Sequence, residues 1–183
     1  LSMTIDDKHI IDTVRTNPES GFRLLLTKYK KPIYWHIRRI VVGHDDAQDA
    51  AQETFVRVFR NFSSCKSGDK LRGWIFRIAT NEALRMLDKR KSTTLSLDDE
   101  ATNIAGQTIA DPYFDNSDKA AVMLQKAILS LPTKQQLTFN LRYYDEVAYD
   151  EIAEVIGSTA SAAKMNYHIA KDKIVKFINS NDL

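Results

Sequence analysis

The chain has 183 residues, 43% of them apolar, and a formal net charge of only +2, a composition suited to one compact soluble domain or two small ones. A single cysteine, Cys65, excludes an internal disulfide, and no apolar run approaches the roughly 20 residues of a membrane helix. The start, LSMTIDDKHIIDTV, scatters charges among its apolar residues, unlike a secretory signal, so the expected location is the cytoplasm.

In chain order, apolar residues recur every three or four positions from Ile10 to Val14, Phe22 to Val42, Ala47 to Phe62 and Leu71 to Leu87, with almost no strand-like alternation. Pro18 and Gly21 mark the first junction, and Pro32 is expected to bend or restart the second helix. Gly43, His44 and Asp45 separate the second helix from the third, with Asp45 or Asp46 as the expected N-cap. In that third helix, DDAQDAAQETFVRVFRNF, helical counting puts Ala47, Ala51, Phe55, Val58, Phe59 and Phe62 on a core side. Asp49, Gln52, Glu53, Arg57 and Arg60 then form a polar side free to meet solvent, a metal or another protein.

The next stretch, LRGWIFRIATNEALRMLDKRK, buries Trp74, Ile75, Ile78 and Leu87 and sets Arg77, Asn81, Arg85 and Lys89 at four-residue intervals on a polar stripe. Between Lys66 and Lys91, eight basic residues face three acidic ones, a balance suited to a phosphate backbone. Asn81 adds an amide able to bond a base edge. The preceding loop, SSCKSGDK, has the polarity of one that shapes a pocket around an unstacked base, although the same composition serves an ordinary connection.

Residues 92 to 118 hold six acidic residues and no Lys or Arg. Outside this strap, 26 basic residues stand against 18 acidic ones, a formal +8. Gly106, Pro112 and scattered Ser, Thr and Asn without periodicity mark an extended linker, and hence a domain boundary. Beyond it, a helix from Ala120 stops at Pro132, Thr133 is the expected cap of the next helix, from Lys134 to Tyr144, and two further helices follow.

Those last two read as a helix-turn-helix. Ile152, Ala153 and Ile156 face inward, Gly157 permits a positive φ, and Thr159 caps the second helix. There Ala163, Tyr167, Ala170 and Ile174 form a buried stripe that turns Ser161, Lys164, His168 and Lys171 outward, toward a major groove. A hairpin of a helical bundle with solvated lysines is the plainer alternative. His168 has no second His or Cys at ligand spacing, so no metal or other cofactor is called for.

The succession DAQDAAQETFVRVF, WIFRIATNEAL with its basic end, a linker, then LPTKQQLTFNLRYYDEVAYDEIAEVIG and a recognition helix resembles the extracytoplasmic-function sigma factors of bacterial RNA polymerase, over roughly residues 20 to 180. The resemblance implies an all-α, two-domain fold without enzymatic activity: a sigma-2 domain over 1–91, an acidic linker over 92–118 and a sigma-4 domain over 119–183. It implies that Asp49, Gln52, Glu53 and Arg57 dock on the β′ clamp helices and that the second domain sits on the β flap. The minus-ten element would meet Ser63, Ser64, Lys66, Lys70, Arg77, Asn81, Arg85, Lys89, Arg90 and Lys91. The minus-thirty-five element would meet Thr159, Ser161, Lys164, Met165, His168 and Lys171. An anti-sigma factor is a further implied partner.

The chain departs from the family pattern at Arg85 and Asp88, where an aspartate and an arginine are usual, and at Asn166 and Ile169, where arginines are common. Ala148 replaces a frequent capping serine. Two readings of other classes stand beside this one: a dimeric helix-turn-helix regulator, which leaves the third helix without a role, and a metal-dependent nuclease using Asp45, Asp46, Asp49 and Glu53.

Overall fold

The computed structural model describes residues 4–93, the last three as backbone only, and residues 118–181. Every regular element among them is helical, and the chain divides into two compact units, Leu1–Leu87 and Asp88–Leu183.

The N-terminal unit begins with α1, Asp7–Thr16, and α2, Pro18–Val41, joined by a single residue. Asn17 serves both helices: its backbone N–H closes α1 on the Thr13 carbonyl, while its side chain accepts from the Ser20 amide and Pro18 starts α2. So short a junction folds α1 back along α2, burying Ile10, Ile11 and Val14 against Leu25 and Tyr29. The helices approach closely because position 21 is glycine: a Cβ there would lie 2.4 Å from the Val14 backbone nitrogen. Helix α2 continues through Pro32 without restarting, since Tyr29, Ile33 and Ile37 on its inner face are fully buried and their packing outweighs one missing hydrogen bond.

The Tyr29 hydroxyl donates to the Asp7 carboxylate at 2.8 Å, and Lys28 pairs with the same carboxylate at 2.7 Å. Burial, followed by the Asp7 contact, pushes the Tyr29 phenol well above its ordinary value of 10.0. The folded unit therefore keeps a proton that the unfolded chain releases near pH 10, so this contribution to stability is complete below that pH and is lost as pH rises beyond it. Urea unfolding on either side of pH 10 should show the loss, and Tyr29→Phe should flatten it.

Helix α3, His44–Arg60, is preceded by Gly43, and neither Asp45 nor Asp46 is its N-cap; both lie in the first turn, where they complement the helix dipole. The positive-φ residue at the junction is Val42, with φ 69 and ψ −43, while Gly43 is extended. A 3-10 turn, Phe62–Ser64, leads into α4, Gly68–Thr93. Helix α4 closes the core with Leu71, Ile75, Phe76, Ala79 and Ala83, and a buried His36–Thr80 hydrogen bond of 2.8 Å ties it to α2.

The C-terminal unit comprises α5, Lys119–Leu129, α6, Thr133–Tyr143, α7, Tyr149–Ile156, and α8, Ala160–Asn181. Asp118 caps α5 through the Ala121 amide. Thr133 is the first helical residue of α6 rather than its cap, because Pro132 holds the extended N-cap position and needs no N–H there. Ile128, Leu131, Phe139, Ala170 and Ile174 form the centre of the core.

Gly157 ends α7 at φ 66, and the Thr159 hydroxyl accepts from the Ala162 amide at 3.1 Å to start α8. At the head of α7, Ala148 has an extended N-cap backbone and no side-chain bond. Ala148→Ser should supply that acceptor and stabilise α7 by about 1 kcal/mol; slower hydrogen exchange of its first-turn amides is the check.

Candidate protein and nucleic-acid interfaces

Helix α3 buries Ala47, Ala51 and Val58 of the stripe that helical counting suggests, but not its phenylalanines. Its core side is Ala47, Ala50, Ala51, Thr54 and Val58, whereas Phe55 is half-buried and Phe59 is 60% exposed. Small residues let α3 lie close to its neighbours, and the apolar arc is wider than the contact, so the larger side chains spill over its edge. They meet Leu26 and Tyr34 of α2 to form an open groove of about 940 Å³, with Lys30, Gln52 and Arg60 in its lining. Leu26 and Val56, 41% and 40% exposed, extend this apolar surface. A patch of this kind on a soluble protein marks an interaction site.

The supposed polar face divides. Asp49 and Gln52 are exposed, and Gln52 lines the groove. Glu53 turns instead toward Arg57, 3.2 Å away, and Arg57 reaches across to Glu82 of α4 at 2.6 Å. Arg57 thus belongs to a second concavity of about 250 Å³ between α3, the 3-10 turn and α4, whose lining includes Ser64, Trp74, Arg77, Asn81, Glu82 and Arg85.

Four of the residues read from sequence as DNA-facing, Ser64, Arg77, Asn81 and Arg85, come together in this pocket because α4 presents them one turn apart above the turn that carries Ser64. Ser63, Lys66 and Lys70 are exposed on the loop and at the start of α4 without lining the pocket; Lys89 is exposed and Arg90 half-buried farther along α4. The Lys91 side chain lies outside the described residues, as does most of the acidic strap. Sequence reading did not single out Glu82, a buried acid on an otherwise basic stretch, nor Trp74 as a wall of the pocket. A lone Glu one residue after Asn81 was the available signal.

In the C-terminal unit, Thr159, Ser161, Lys164, Met165, His168 and Lys171 are all exposed, Met165 by 61%, along the start and outer face of α8. Tyr167 lies between this face and the core; burial, then the neighbouring Tyr149, raises its phenol above the ordinary value. The Arg142 guanidinium sits 4.7 Å from the Tyr149 ring centroid, a pairing of α6 with the start of α7 not singled out from the sequence. Among the described residues, no group of three or more His, Cys, Asp or Glu is placed to hold a metal ion, and no helix is long and apolar enough to cross a membrane.

Two family models match the chain: Sigma-70 region 2 over residues 25–93, which spans groove and pocket, and Sigma-70, region 4 over residues 121–174, which spans the helix-turn-helix. The chain is 29% identical to the ECF RNA polymerase sigma factor SigW of Bacillus subtilis, across 92% of this chain and 95% of that one. The chain belongs to the extracytoplasmic-function sigma factors of the sigma-70 family. The ECF RNA polymerase sigma-E factor of Escherichia coli K12 is 25% identical over 95% of each chain. In fold, this sigma factor is similar to a chain in the structure of CnrH in complex with the cytosolic domain of CnrY, at a TM-score of 0.70 and 17% identity over 97% of this chain and 99% of that one. Its function is promoter-specific transcription initiation with RNA polymerase, and sigma factors are not enzymes. The stand-alone regulator and nuclease readings are not favoured.

Proposed function

We propose that the two concavities of the N-terminal unit divide the work of initiation. The α2–α3 groove takes a helical element of polymerase, the β′ clamp helices, with Leu26, Val56 and Phe59 as apolar contacts and Asp49 and Gln52 nearby. The α3–α4 pocket takes a base of the opened minus-ten non-template strand, with Asn81 as a base-edge donor and acceptor. Ser63, Lys66, Lys70, Lys89, Arg90 and Lys91 hold the flanking backbone. The outer face of α8 reads the minus-thirty-five element from the β flap, with Arg142 and Tyr149 beside it.

In this reading residues 1–91 form the sigma-2 domain, 92–118 the linker and 119–183 the sigma-4 domain, acting where polymerase does, in the cytoplasm. The single observation that carries it is that α3 contributes at once to an exposed apolar groove and to a small arginine-lined pocket. An anti-sigma factor would act by covering the groove. The fold neighbour CnrH was solved in complex with the cytosolic domain of CnrY, which accords with such a partner.

Reconstitution with core polymerase tests the proposal. The chain should be retained by core and should direct start-site-specific transcripts from genomic fragments, with permanganate-reactive thymines near minus ten. Specific binding to duplex operators in the absence of core, together with no retention by core, would overturn it.

A further inference from the structure

Glu82 has only 8% of its side chain exposed, and its Oε1 lies 2.6 Å from Nε of Arg57 and 2.9 Å from Nη1 of Arg85. Arg77 is the third arginine lining this pocket of about 250 Å³. Guanidinium groups crowded into a concavity are ligands for phosphate. A buried carboxylate changes that chemistry. Its single charge is shared between two of the three cations and offsets one of their two positive charges; it orients Arg85 through a 2.9 Å hydrogen bond and opposes any anion entering beside it at low dielectric. The other acid near Arg57, Glu53, is 3.2 Å away with 45% of its side chain exposed, so water screens it and the buried partner sets the arginine's position.

A nucleic-acid strand offers such a pocket two kinds of group, anionic phosphates and neutral bases. We propose that Glu82 is a positioning and selectivity residue, holding Arg57 and Arg85 as partly charge-compensated donors so that the pocket favours a nucleobase over the phosphates of the same strand. The assignment rests on the pocket being a base trap. It adds the means by which a basic pocket avoids filling with backbone.

The test uses the full chain bound to core polymerase and end-labelled single-stranded DNA carrying the non-template sequence of a promoter that the complex transcribes, each oligonucleotide with one abasic position. For the parent protein, one abasic position should cost about tenfold in affinity, the scale of a good base contact. In Glu82→Gln, which keeps the shape and removes the charge, that penalty should fall below about threefold. Affinity for the intact strand at low salt should be equal or higher, and the salt dependence steeper by ~0.7 in log–log slope for each phosphate newly held.

A uniform loss of affinity on every oligonucleotide would make Glu82 a purely structural residue and overturn the proposal, as would an unchanged penalty and slope. If no abasic position weakens binding of the parent, the base-trap reading itself fails and the Glu82 role falls with it. Should the single variant not fold, Arg57→Gln with Glu82→Gln removes one charge of each sign. That pair should keep the parental salt slope while losing the abasic penalty, and a full penalty would refute the assignment.

Discussion

Phe59→Ala should weaken binding to core polymerase about 30-fold, close to 2 kcal/mol, with little loss of folded stability. The ring is 60% exposed, so little of its area supports the unit's own core. Its inner edge is nevertheless held: its centroid lies 4.5 Å from that of Phe22, which contacts Phe62 at 5.3 Å, and Phe62 meets Trp74 of the pocket at 6.1 Å. An aromatic both exposed and fixed in orientation gives up little entropy when a partner covers it, which is the property of an interface anchor. Losing the Phe22 contact costs about 1 kcal/mol at most in the free protein, so tryptophan-detected unfolding should move only slightly. Leu26→Ala should act in the same direction, whereas Glu19→Ala, in an exposed ion pair at the start of α2, should leave docking unchanged. Titration of labelled protein with core polymerase decides the matter, and parental affinity for Phe59→Ala would remove the groove from the docking surface.

The second large effect is on stability. In Gly21→Ala the added methyl would stand 2.4 Å from the Val14 nitrogen and 2.5 Å from its Cα. Both are backbone atoms and cannot rotate away, so α1 must lift from α2, loosening Ile10, Ile11 and Val14 and the Asp7–Tyr29 bond. A cost of about 3 kcal/mol follows from overpacking of this kind, a large share of the stability of a small domain. Both tryptophans, Trp35 and Trp74, lie in the N-terminal unit, so urea unfolding followed by their fluorescence reports this unit alone. A loss below 1 kcal/mol would mean that α1 can shift at little cost.

Sequence periodicity was enough for the helices because each buries a stripe with a 3.6-residue repeat, and for the turn of the helix-turn-helix because Gly157 and Thr159 act through their own backbone and cap. Junction details were less legible. Thr133, Asp45 and Asp46 are all competent caps, yet Pro132 and Gly43 take those positions, since the cap is set by where packing starts the helix. Pro32 shows the same competition, with the burial of Tyr29, Ile33 and Ile37 prevailing over a local helix breaker.

For the candidate sites, residue type and spacing within α4 placed Arg77, Asn81 and Arg85 on one face, and those within α8 placed Ser161, Lys164, His168 and Lys171 together. Those are consequences of one helix and are written in its local order. The α2–α3 groove and the Glu53–Arg57–Glu82–Arg85 chain depend on contacts between helices. Helical counting placed Ala47 and Ala51 in the core but could not tell that α3 also buries Ala50 and Thr54 while leaving Phe59 in the open, nor that Gln52 and Glu53, neighbours in the chain, belong to different surfaces. The packing of α3 against α2 and its ion pair to α4 decided both, because a helix with an apolar arc wider than its contact must leave part of that arc exposed, and only the packed neighbours select which part.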